Sequence, residues 1–313
     1  NPPARAWYDW IVLYVLYTAL GAIFLDLVAR FQVRTPAALG LASGIYGAAV
    51  SAVIHYTAYR DIPIGFVVQG LGLQVGAGFL ALMLFLVVFR GRNPGPLQIA
   101  AAAALGAAWG LWTHWYPLQE DVAWGLVSLE SAQIYLVLPL IGAGVLLAVL
   151  PARFATLREG VFVLRWWEML AVGTPIFAAL LIGMFNNHIP AIPLLIPAVV
   201  IAFCGWALRW QRPEYDPSAL AEITIAAPNM ITYTVLTVVF LFAGSLAYPL
   251  VTDADSPVGV ALYIAVLGFG SAWLPFACGL IFWSVLRTRL NPELQESEDS
   301  SDMPGLGTED ETK

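Results

Sequence analysis

Charge is what this chain has least of. Lys, Arg, Asp and Glu make up 11% of its 313 residues, against 60% hydrophobic residues. Soluble domains carry about 25% charge, and so few ionic groups do not cover a water-exposed surface. Lysine is nearly absent: Lys313 stands alone at the C-terminus, so no lysine within an apolar segment can form a retinal-type Schiff base. Cysteine is scarce too, and Cys204 and Cys278 both lie inside apolar runs. They read as small buried hydrophobes rather than as a disulfide or a metal pair. Only three histidines are present, His55, His114 and His188, too few for the array an oxidase core needs. The chain also lacks a phosphate-binding loop and the paired aspartates of prenyl transfer. Its net charge of −7 owes much to the acidic stretch after Pro292. No nucleic-acid partner is expected.

What is abundant is apolar length. About 20 apolar residues cross a bilayer core as a helix. By that measure nine spans are expected, at 9–29, 36–58, 63–89, 97–116, 131–150, 161–184, 190–208, 227–250 and 258–285. Arginines then mark alternate connections or their edges: Arg30 and Arg34, Arg90 and Arg92, Arg153, Arg158 and Arg165, Arg209 and Arg212, Arg287 and Arg289; the N-terminus and the other connections hold only Arg5 and Arg60. The other connections carry Asp61, Glu120, Asp121, Glu130, Asp253 and Asp255. Cytoplasmic loops are the basic ones, so the N-terminus is expected outside and the C-terminus in the cytoplasm. No separate signal peptide is read ahead of the first apolar run. The expected fold is an all-α polytopic transmembrane helix bundle over 1–290, with the lipid bilayer as its main partner and a multi-pass location in the cell membrane. Residues 291–313 read as a disordered acidic cytoplasmic tail. Trp166, Trp167, Trp210 and Trp283 suit one interface; Trp7, Trp10, Trp115 and Trp124 suit the other.

Within this frame one stretch stands out, from Gly106 to Glu130. At 100° per residue Gly106, Gly110 and His114 line one face, and Trp109, Trp112 and Tyr116 are placed roughly opposite. A small-residue face admits a second helix closely. Gly47, Ser51 and His55 repeat the spacing, offset by 59 residues. That offset is compatible with a tandem duplication of helical hairpins related by an axis along the membrane normal, or with chance likeness between hairpins. Pro190, Pro193 and Pro197 are expected to kink or unwind one end of the seventh span. Asp26 with Arg30, and Arg165 with Glu168, have the spacing of local ion pairs.

All three histidines fall at the outer side under this topology. Imidazoles there serve as ligands to haem, copper or another metal, or as proton partners of a quinone. His55, His114 and His188 are therefore the candidate metal ligands, and His55, His114 and Trp109 the candidate cofactor contacts. Against this stands the plain reading that interfacial histidines bond loops and headgroups. Two functions follow. The first is a membrane redox or metal/quinol-site subunit with a site near the outer leaflet, working with other membrane subunits. The second is a permease whose path is lined by proline-kinked helices.

Overall fold

The computed structural model describes residues 7–55, 59, 62–89, 95–115, 129–149, 162–210, 218–220, 230–250 and 257–290. Their regular structure is helical throughout: α1 (Trp7–Arg30), α2 (Pro36–Val53), a π-helical segment (Phe66–Gln74) continuous with α3 (Val75–Phe89), α4 (Pro96–Trp115), α5 (Leu129–Val149), α6 (Trp166–Phe185), α7 (Leu195–Trp210), α8 (Met230–Ala247) with a 3₁₀ turn (Tyr248–Leu250), and α9 (Pro257–Leu290). The expected tail over 291–313 and the acidic loop with Glu120 and Asp121 lie outside the described residues.

The expected count of nine spans is corrected to six. Among the described residues six helices are long and apolar enough to cross a membrane: Ile11–Arg30, Pro36–Val53, Phe66–Met83, Trp166–Phe185, Met230–Leu250 and Pro257–Gly279. Pro96–Leu111 and Leu195–Arg209 are apolar but shorter. The physical reason is clearest in α7. Pro190 and Pro193 lack amide donors, so 190–194 forms a turn and the helix begins at Leu195. Sixteen residues rise only about 24 Å, short of a hydrocarbon core of about 30 Å. Termini on opposite sides require an odd number of crossings, so that assignment loses its support with the count. What stands is a polytopic all-α membrane bundle, multi-pass and embedded in lipid.

The bundle is organised around α2. Thr35 starts it, its Oγ1 accepting from Ala38 N at 3.2 Å with Pro36 next in line. Of its span 72% is buried, against 6% for α6. A helix of Ala, Gly and Ser lets neighbours come close, and they do. Gly44 lies under the indole of Trp273 from α9, and Gly47 faces the backbone of Val75. The pairs Ser51 with Gly70, Gly47 with Val75 and Tyr46 with Gly78 show α2 and the π-segment–α3 helix running antiparallel. Phe24, Val28, Leu41, Ala48, Cys204 and Trp273 are among the buried residues of this core, contributed by α1, α2, α7 and α9.

A second group forms on α8. Gly106 and Gly110 of α4 meet the backbone of Phe240 and Gly244, so these two helices run parallel. Helix α8 also meets α5: Gly144 of α5 receives the ring of Tyr233, whose hydroxyl donates to Leu140 O, and Gln133 Nε2 bonds Ser245 Oγ at 2.6 Å. The two groups meet through α3 and α4.

Candidate functional site

The residues with chemistry to offer gather at one end of the α2 group. Helix α2 closes at Val53, and His55 follows the last turn with its amide bonded to Val50 O. Its imidazole is half-buried, and Nε2 lies 3.2 Å from the hydroxyl of Tyr17 on α1. Whether the ring donates or accepts depends on its tautomer, so the hydrogen bond can run either way. Below it Tyr59 donates to Ala52 O at 3.0 Å. Leu16, Ala52, Val53, Tyr59 and Ile189 form a small apolar cluster under the pair, joined by Ile176 and Leu180 of α6.

His188 reaches the same end by a different route. Asn187 takes φ 56°, the left-handed conformation that ends a helix, and the amides of His188 and Ile189 both turn back to Gly183 O. Ile189 is thereby pulled into the cluster beside Val53 while His188 stays exposed. The Asn186-Asn187 doublet was the sequence signal for this turn. Asparagine tolerates the left-handed region as other side chains do not.

The other two candidates sit elsewhere. His114 lies in the last turn of α4, on the group built around α8. Trp109 packs over Gly244, its ring centroid 6.0 Å from that of Phe240. It therefore shares the α8-facing side with Gly106 and Gly110, not the opposite one. Three residues make nearly a full turn, which puts position 109 only about 60° from position 106. The two glycine faces are close helix contacts, but Gly47 meets an antiparallel neighbour and Gly106 a parallel one. The offset of 59 thus does not carry equivalent packing. The structure brings His55 and His188 to one end of the α2 group and leaves His114 and Trp109 on another pair of helices.

Sequence reasoning had no means of finding Tyr17, which lies 38 residues from His55 in an apolar run. It did find Asp26, though not what Asp26 does. At the opposite end of α1 this buried carboxylate receives Arg30 Nη2 at 2.8 Å and the amide of Leu164 at 2.8 Å, and Arg30 also donates to Leu164 O at 3.0 Å. The pair is a clamp on the strand of chain leading into α6. Glu168 likewise bonds the backbone amide of Arg165 at 2.7 Å, capping α6 where a side-chain ion pair was expected.

Among the described residues no group of three or more His, Cys, Asp or Glu comes together. A metal site made of described residues alone therefore has no ligand set. No family model matches the chain, and neither the curated proteins nor the solved structures contain a match to it.

Proposed function

We propose that the protein is a quinol-binding subunit of a membrane redox assembly, with His55 and Tyr17 as the polar contact for the carrier's head group. The observation that carries this reading is the 3.2 Å approach of the Tyr17 hydroxyl to His55 Nε2 beside a small apolar cluster. A quinol gives up protons as its electrons leave. Imidazole titrates near neutral pH and is the side chain suited to take one; the phenol of Tyr17 passes it on or orients the ring. The electrons go to a metal centre on another membrane subunit. A quinol needs only a hydrogen-bond partner and an apolar wall, whereas copper or haem needs several ligands. His188, exposed at the same end, is the proposed second proton acceptor. His114 and Trp109, on the α4–α8 pair, have no part in this reading.

The test is binding of a short-chain ubiquinol analogue to the purified protein, followed by tryptophan fluorescence. His55→Leu is expected to weaken binding at least tenfold, the loss of one hydrogen bond to a polar group, about 1.4 kcal/mol. Tyr17→Phe has a smaller effect. Equal affinities for wild type, His55→Leu and Tyr17→Phe refute the assignment. The permease is the second reading, favoured by two helix groups that meet through α3 and α4 and by the unwound entry to α7. Flux across proteoliposomes containing this chain alone selects it.

A further inference from the structure

Several hydroxyls inside these helices are satisfied locally. Ser51, Thr174, Thr234 and Ser245 each donate to the carbonyl four residues earlier, at 2.7 or 2.8 Å. Ser43 does not: its Oγ is fully buried and has no hydrogen-bond partner. An unpaired hydroxyl is costly inside a lipid-embedded bundle. Its direction follows from the positions one turn later. Gly47 faces the backbone of Val75 and Tyr46 lies on Gly78, so position 43, between them around the helix, also faces α3. Across that contact lies Gln74, itself only 9% exposed, whose carbonyl carbon is 3.0 Å from a methyl added at Gly47. Gln74 is thus one turn of α2, about 6 Å, from the depth of Ser43.

Gln74 also ends the π-helical segment Phe66–Gln74. A π-helix bonds residues five apart and fits more of them into each turn, so it is shorter per residue than an α-helix. Helix α9 is seated against this segment. A methyl at Gly270 would strike Val67 O and Gly72 N, two positions five apart, and a methyl at Gly72 would strike Val266 O. The segment begins at the His55 end of α2 and runs antiparallel to it, towards the Thr35 end. Recoiling as α-helix lengthens it in that direction, which is the direction of Ser43 from Gln74.

We propose that Phe66–Gln74 is a two-state spring. In its π form Ser43 is unpaired; in its α form Gln74 advances along α2 and its side-chain amide donates to Ser43 Oγ. Each form carries a cost that the other relieves: the orphaned hydroxyl in the first, the lost seat of α9 at Gly270 in the second. Such a balance is what makes a packed element switch between two arrangements rather than deform gradually. The device needs no ligand and is independent of the quinol reading.

The experiment uses the whole chain in nanodiscs, with spin labels on cysteines at Ile11 and Ala81 in a Cys204→Ala, Cys278→Ala background. Both positions are exposed and lie towards opposite ends of the bundle, so movement of α3 along α2 changes their separation. Double electron–electron resonance is expected to show two distances, the longer one belonging to the α form. Ser43→Ala and Gln74→Leu are each expected to reduce the longer population about tenfold, the loss of one buried hydrogen bond. Gly270→Ala is expected to raise it, because the added methyl unseats the π form. A single distance in wild type and in every folded variant overturns the proposal. Two distances whose proportions ignore both Ser43→Ala and Gln74→Leu overturn it as well, and a response to only one of the two overturns the pairing of Gln74 with Ser43.

Discussion

Gly110 offers the sharpest test of the packing. A methyl group added there would run into the carbonyl of Gly244 on α8. A carbonyl held in a helix cannot swing away as the tip of a side chain can, so the two helices have to separate. Overpacking of this kind costs about 1–3 kcal/mol, and a backbone obstacle argues for the upper half. Alanine also gains about 1 kcal/mol in helix propensity over glycine. The net expectation for Gly110→Ala is a loss of about 1–2 kcal/mol. Gly173 of α6 has nothing within 4 Å of an added methyl. There only the propensity gain remains, so Gly173→Ala is expected to be neutral or stabilising by up to about 1 kcal/mol. The two substitutions are chemically identical and should differ by about 1–3 kcal/mol. Reversible unfolding in mixed micelles, titrated with SDS and followed by tryptophan fluorescence, measures the difference. Equal midpoints for the two variants refute the α4–α8 contact, and Gly110→Leu should aggravate whatever Gly110→Ala does.

Two further substitutions probe the end of the bundle opposite His55. Asp26→Ala removes the acceptor of both the Leu164 amide and Arg30. Breaking a buried pair costs about 3–5 kcal/mol, reduced here to about 2–3 kcal/mol because the Arg30 side chain is 39% exposed and can hydrate. Asp26→Asn, which keeps an acceptor, should recover part of that loss, and a wild-type unfolding midpoint for Asp26→Ala disproves the clamp. Leu220 is 1% exposed, in a short segment whose Ala219 amide bonds Val33 O at 2.9 Å. Leu220→Ala should therefore cost about 2–5 kcal/mol, whereas lipid-facing Leu170→Ala should change the same midpoint by under about 0.5 kcal/mol. Equal effects would mean that the segment does not anchor the α1–α2 turn.

How much of this was legible beforehand depends on the range of each interaction. Helix positions follow from local apolar length, so each expected span overlaps a helix, although not every one of those helices is a membrane crossing. At α7 the counting of crossings failed because length in residues is not length in helix. The prolines before Leu195 shorten α7 without making its sequence any less apolar. The small faces at Gly47 and Gly106 were readable, since glycine four residues apart has few uses in a span other than close approach. Their partners were not, because nothing in α4 says that α8 lies against it. The face of Trp109 was misjudged by treating three residues as half a turn instead of nearly a whole one.

The candidate site divides along the same line. His55 and His188 were legible as rare titratable groups, and the doublet at Asn186 and Asn187 held the turn that sends Ile189 back to the core. Tyr17 was invisible because its role is created by α1 passing beside the end of α2. The consequence reaches function. A lone imidazole at a helix end is ambiguous between ligand, capping group and ornament of the interface. An imidazole with a phenol at hydrogen-bond distance, set beside a small apolar cluster, is a more definite feature, and it is the one on which the proposed function rests. The same cluster fixes the geometry: Leu16 precedes Tyr17, Val53 lies two residues before His55, and Ile189 follows His188. Each polar residue is thus positioned by a buried neighbour close to it in sequence, which is how an apolar bundle can hold a few polar groups in place at its edge.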